Sequence, residues 1–233
     1  MSARQRCRVI SNRTSITFRN LFFPVDVEEW IEVLAGLGFQ PVARIPPPQS
    51  PGVKIEAVGE IATREGVVAD INPDKKVFGL TARSGIKEML VLLDEIQDAL
   101  SRNLVFDSQK NARYYEAVGN YHIISNKSAI QRMAEIAKGS TVIESISKIC
   151  GRDLSMFMLR AGSGQNGPDD EEWFEVQMAP RRERVDRVYQ ISLIFRSPDR
   201  GKFSETVQRL EEMATNMAAV LDGIKQQKIH SLR

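Results

Sequence analysis

Residues 162 to 167 read Gly-Ser-Gly-Gln-Asn-Gly, the G-x-G-x-x-G spacing that can wrap the pyrophosphate of a dinucleotide. That chemistry requires the glycines to leave a strand and open a helix, whose first amides then hold the phosphates. Here Pro168 and four acids, Asp169 to Glu172, follow instead, and a period-two stretch starts at Trp173. The acids would repel pyrophosphate, and no parallel βαβ unit surrounds the loop. The stretch therefore reads as a hairpin connection, and no cofactor is expected. No GK[ST] P-loop occurs. Asn166-Gly167-Pro168-Asp169-Asp170 lacks the alternating oxygen ligands of a calcium loop, so no metal is expected either. The acidic tip should be solvated or paired with Arg181 and Arg182.

Other chemistry is sparsely provided for. The chain has two histidines, His122 and His230, too few for a histidine-rich zinc site. Only His122, in GNYHIIS, is placed for acid–base work, and a partly buried structural role suits it better. Cys7 and Cys150 are far apart, and a disulfide is not favoured. Cys150 follows an apolar helix and precedes Gly-Arg-Asp. Arg152 would lend it some thiolate character, but a small buried apolar role is the favoured reading. No catalytic residue is assigned, and the chain is expected not to be an enzyme.

Arginine is unevenly distributed. Arg4, Arg6, Arg8, Arg13 and Arg19 crowd the N-terminus, and Arg181, Arg182, Arg184 and Arg187 follow the acidic run. Phe18, Phe22 and Phe23 lie near the first group. Cations with aromatics beside them could grip a nucleic-acid backbone, whereas a net charge of +2 over 233 residues implies no general attraction to polyanions. No apolar run approaches the length needed to span a bilayer, and the basic N-terminus has no apolar core behind it. A cytoplasmic chain without membrane contact is expected.

The elements that must position these residues follow from periodicity. RVISNRTSITFRNLFF is extended. Asp26 and Glu29 form a capping box, with Val27, Trp30, Ile31 and Leu34 at helical spacing and Gly36 and Gly38 as the stop. Gln40 to Ile45 can be a short strand, and PPPQSPG, residues 46 to 52, is a stiff connection. VKIEAVGEIAT, VVADI and KVFGLTA make three strands, with Val53, Ile55, Ala57 and Ile61, then Val67, Ala69 and Ile71, facing inward. Ser84 caps a long helix to about Leu100, striped by Ile86, Met89, Leu90, Leu93, Ile96 and Leu100.

RYYEAVGNYHII could add a strand within a connecting segment, 106–128, between lobes at 1–105 and 129–233, or the three could form one continuous domain. Ser128 starts another helix, and TVIESISKI a second. DLSMFMLR, WFEVQMA and VYQISLIF then read as strands, with Phe174, Val176 and Met178, and Tyr189, Ile191, Leu193 and Phe195, on one face. A terminal helix runs from about Lys202 to Ile224. Its Phe203, Val207, Leu210, Ala214, Met217, Leu221 and Ile224 keep a 4-3-4-3-4-3 rhythm. The chain's own sheet or a homodimer seam would explain that rhythm.

Residues 16–100 resemble one repeat of the TATA-box-binding-protein fold. A first strand, a helix (Val27 to Leu37), Ser50-Pro51-Gly52, a meander, Gly79 in the last strand and a long helix come in the same order. The resemblance implies a saddle with helices on its convex side, and it implies DNA minor-groove reading by the bare sheet face. Glu56, Glu60 and Asp70 on outward positions oppose phosphate, and Trp173, Glu175 and Gln177 suit the groove no better.

The expectation is an α+β chain: curved antiparallel sheet, one or two, covered on one side by long helices, as a duplicated TATA-box-binding-protein-like or helix-grip unit. Its leading function is non-catalytic binding of a protein partner, or of another copy, through the open sheet face or the terminal helix. Nucleic-acid binding through the arginines comes second, and a small-ligand or enzyme pocket between sheet and helix third.

Overall fold

Alternating small, β-branched and apolar residues build β1, Cys7–Phe18, and the Asp26–Glu29 capping box opens α1, Val27–Gly36. Gly38, at φ +83°, turns the chain into the short edge strand β2, Gln40–Pro41. The architecture is seen in a computed structural model that describes residues 7–20, 24–42, 59–83, 85–104 and 106–223. The proline-rich connection, the inward Val53, Ile55 and Ala57, the outward Glu56, the Ser84 cap and Phe22 and Phe23 lie outside those residues.

The meander follows as β3, Gly59–Arg64, β4, Val67–Asn72, and β5, Val77–Ala82. Glu65 and Gly66 both take positive φ, 49° and 81°, giving the two-residue hairpin turn whose twist matches the strands it joins. Helix α2, Ile86–Leu104, and the single turn α3, Ser108–Asn111, lead into β6, Ala112–Ile124. Ser128 and Ser140 accept backbone N–H groups at the starts of α4, Ala129–Ile136, and α5, Thr141–Cys150. The chain closes with β7, Leu159–Gly162, β8, Trp173–Pro180, β9, Val188–Ser197, α6, Arg200–Val207, and α7, Leu210–Leu221.

Among the described residues, seven helices accompany one open nine-stranded sheet in the order β2-β3-β4-β5-β1-β6-β9-β8-β7. Every adjacent pair is antiparallel. The fold is thus mixed α and β with an antiparallel sheet, as its alternating patterns imply. Helices α1, α2, α6 and α7 pack on the face bearing Ile16, Phe78, Tyr115 and Phe195. Trp30 of α1 stacks on Phe78 at 4.2 Å between ring centroids, and Phe203 of α6 meets Tyr115 and Phe195 at 5.5 and 6.2 Å. Between helix and sheet, the Gln97 amide donates to Ser108 Oγ and Tyr115 Oη. At the end of α7, buried Asp222 accepts from Ser125 Oγ (2.6 Å), Asn126 N (2.8 Å) and Tyr189 Oη (3.1 Å), tying the last helix to the β6–α4 connection and to β9.

RYYEAVGNYHII is the strand β6, which pairs with β1 on one side and β9 on the other, so one sheet runs through both halves. Three expectations are corrected. DLSMFMLR is a strand only from Leu159, because the preceding residues find no partner strand and leave Leu154, Phe157 and Met158 exposed. The terminal helix breaks at Gln208 and Arg209 into α6 and α7. The acidic run and Arg181–Arg187 lie at opposite ends of β8, eight residues or about 25 Å apart, and do not pair.

Trp30 has no exposed surface, so Trp30→Ala should cost about 3–5 kcal/mol by urea denaturation. Val91→Ala, at a side chain 60% exposed on α2, should stay within about 0.5 kcal/mol.

Candidate binding face

The side of the sheet opposite the packed helices carries polar rows on both sides of a half-buried Val118–Ile194 pair, and the rows follow from register. Residues paired across antiparallel strands share a face. One row reads Gln177, Ser192, Asn120, Ser11 across β8, β9, β6 and β1, with Asn120 donating to Ser11 Oγ at 3.0 Å. The next reads Ala179, Gln190, His122, Arg8. A bulge between Val9 and Ser11 gives β1 one extra residue. Without it, Arg8 and Arg13 would face opposite sides; with it, both reach the polar face.

Most arginines on this face are matched. Arg13 reaches across β5 to Asp70 of β4, one of its bonds measuring 2.8 Å. It crosses at Gly79, where any side chain would collide with the guanidinium. Arg160 of β7 forks onto Glu175 with two bonds of 2.9 Å. Glu175 is buried, and its pKa is held below the ordinary carboxylate value by the Arg160 bond first, then helped by Gln177 and Trp173 against its burial. The Trp173 indole lies over Gly162, again at a place only glycine leaves free. Arg196 bonds Glu116 (3.0 Å), stacks on Tyr114 (4.5 Å) and donates to the carbonyls of Pro168 and Asp170, both at 2.9 Å.

Arg196 thereby holds the glycine loop. Residues 163–172 join β7 to β8 as an antiparallel hairpin, with Ser163 N donating to Phe174 O. No helix follows the glycines. The acids of the loop pair with Arg113, through Glu171 at 2.9 Å, and with Lys202, through Glu172, rather than with Arg181 and Arg182.

The two arginine groups partly converge. Arg8 stands opposite His122 in the register, and Arg181, just past β8, brings Nη1 to 3.2 Å from His122 Nδ1. A guanidinium only donates, so Nδ1 accepts and the imidazole proton sits on Nε2. Burial first, then the charges of Arg181 and Arg8, lower the His122 pKa below 6.5, against an upward pull from Glu183. Arg181 also bonds Glu183 at 2.7 Å. Arg13 and Arg19 do not join this group: Arg19 donates to the Ala112 carbonyl beyond the strand end. Arg182 and Arg184 are exposed in a 3-10 turn, and Arg187 lies 3.5 Å from Asp186. Arg4 and Arg6 lie outside the described residues.

The stripe of the terminal helices is occupied. Phe203, Val207, Leu210 and Ala214 are fully buried in the chain's own core, and Met217 and Leu221 pack against it; Ile224 lies outside the described residues. A groove of about 830 Å³ lies between α4, α5 and residues 151–155, lined by Lys138, Ile143, Ser147 and Leu154 among others, not between sheet and helix. Cys150 is exposed, a correction to its expected burial, because α5 buries none of its residues. Cys7 is half-buried, and burial, followed by the nearby Glu211, pushes its thiol up to about 11, the Thr215 hydroxyl opposing. Among the described residues no group of three or more His, Cys, Asp or Glu could hold a metal ion, and no helix is long and apolar enough to cross a membrane.

Register, not motif, assembles this face. The Arg13–Asp70 and Arg196–Glu116 pairs join residues 57 and 80 positions apart, and no local signal announces either. Comparison with protein-family models, curated proteins and solved structures finds no match to the chain.

Two measurements check the electrostatics. The folded His122 binds its proton less readily than the unfolded one, so its contribution to stability is complete above pH 6.5 and falls away as the pH drops below it. Urea denaturation at pH 7.5 and 5.5 should show a larger loss for the native chain than for His122→Gln. Iodoacetamide at pH 8 should alkylate Cys150 well before Cys7, whose raised pKa keeps it a thiol.

Proposed function

We propose that the chain is a non-catalytic binding protein that engages a protein partner on the polar face of its sheet. The observation that carries this reading is the cross-strand ladder of Ser11, Asn120, Ser192 and Gln177, flanked by ion pairs that cancel most of the charge around it. Such a surface offers directional hydrogen bonds to a polar, near-neutral partner. The alternative surface for assembly, the stripe of α6 and α7, supports the reading less, because core packing already consumes it.

The strand order supports a duplicated unit. Each half starts with a central strand, passes through a helix to the sheet edge, returns strand by strand and ends in a helix over the sheet. That order is also in keeping with a TATA-box-binding-protein-like saddle. DNA reading fits this chain less well, since Asp70, Glu116 and Glu175 occupy the face that would meet the groove. A second reading, nucleic-acid binding, draws on the approach of Arg181 to His122 opposite Arg8.

A photo-crosslinking residue at Ser192 tests the leading reading in cells, with Val91 on the exposed side of α2 as comparison. Ser192 should yield a discrete protein adduct by mass spectrometry and Val91 should not. Equal adducts from both positions, or none from Ser192, would remove the reading. Retention on single-stranded DNA or RNA that weakens steeply with salt would favour the second reading. Light scattering that shows a dimer persisting in a Ser192→Arg variant would move assembly off this face.

A further inference from the structure

We infer that the end of the polar face formed by Arg8, His122 and Arg181 receives one phosphate monoester carried by a protein partner; this rests on the partner-binding reading above and names the group that partner presents. The three side chains come together by register and by one hydrogen bond. Arg8, His122 and Gln190 stand side by side on β1, β6 and β9, about 4.8 Å from strand to strand. Arg181 reaches His122 from the turn after β8.

Each group has an unused donor directed at no acceptor among the described residues. Arg8 is exposed and makes no ion pair there. Arg181 uses Nη1 on His122 and Nε on Glu183, which leaves Nη2. Because Nδ1 accepts from Arg181, His122 presents Nε2–H as a fixed donor while remaining neutral. Gln190 adds an exposed carboxamide. Several donors without an acceptor call for an oxyanion, and guanidinium groups bond phosphate strongly.

Phosphate suits the spread better than carboxylate. The donors span two strand spacings, about 10 Å, and three tetrahedral oxygens can address them from one centre where two coplanar oxygens cannot. A protein suits the surroundings better than a polynucleotide. Elsewhere on the face, Arg13, Arg160 and Arg196 are each matched by a carboxylate, so consecutive phosphates would meet cancelled charge. The row Ala179, Gln190, His122, Arg8 also has no Phe, Tyr or Trp on which a base could stack.

Phenyl phosphate is the probe, followed by the NMR shifts of the His122 imidazole and by calorimetry. It should bind at His122, more tightly than acetate. Arg8→Gln and Arg181→Gln should each weaken it by about tenfold, the loss of one charge-assisted bond, while the folded spectrum persists. Arg102→Gln, far along α2, should leave it unchanged. No shift at His122, acetate binding as tightly, or an Arg8→Gln variant that behaves like Arg102→Gln would overturn the proposal. An unphosphorylated oligonucleotide that displaces phenyl phosphate would overturn it in favour of nucleic acid. Crosslinking from Ser192 separates the two levels: if phenyl phosphate fails while the Ser192 adduct persists, only the phosphate site falls, and if both fail, the binding face falls with it.

Discussion

The pairing of β1 with β6 is the constraint from which both faces follow. These are the two longest strands, and they lie at the centre of the sheet, each drawn from a different half of the chain. Their register puts Ile16 beside Tyr115 and Thr14 beside Ala117 under the helices, and Ser11 beside Asn120 and Arg8 beside His122 on the other side. A slip of one residue would exchange the faces, placing Arg13 and Glu116 beneath α2 and α6. Burying those charges would cost far more than a backbone ladder can return. The hydrophobic side therefore fixes the register, and the polar side inherits its pattern.

The inherited pattern explains why particular small residues sit in the strands. Gly79 lies between Arg13 and Asp70 on the intervening strand, and its missing side chain is what lets a guanidinium cross from β1 to β4. Gly162 gives the Trp173 indole the same clearance, and a hydrogen bond from Trp173 helps hold the buried Glu175 ionised. A carboxylate so buried is tolerable because the Arg160 fork meets both oxygens and Gln177 adds a further bond. Glycine and ion pair thus recur together on both wings of a surface that alternation alone would describe as solvated.

Much of the helical side was legible in the sequence. The capping box and stripe of α1, the long stripe of α2 and the inward Val67, Ala69 and Ile71 express local periodicity, and core burial follows it. The central strand β6 was harder because its inward positions include Ala112, Ala117 and Gly119, small residues that carry little strand signal but let helices approach. DLSMFMLR misled for the opposite reason: apolar residues mark a strand only where they pair with a partner, and the ladder with β8 reaches no further than Leu159 opposite Met178. The polar face was hardly legible at all. Its rows depend on a bulge near Ile10 and on pairings across 57 to 109 positions, quantities that no window along the chain contains.

The division of the two faces also sets how recognition on this protein would work. The helical side has spent its large apolar side chains on the core, and on the other side apolar area is confined to a few strand positions such as Val118, Ile194 and Ile124. Much of the affinity there would come from hydrogen bonds that replace those made to water, and each such exchange returns only about 1 kcal/mol. A surface of that kind discriminates well but binds weakly unless one stronger contact anchors it. The matched arginines cannot supply that contact without breaking an existing pair. Arg8, and Arg181 through its free amino group, can. The imbalance of charge at one end of an otherwise neutral face is thus the feature that would turn a selective surface into an adhesive one, and its position beside the ladder of Ser11 and Asn120 lets anchoring and selection act on the same partner.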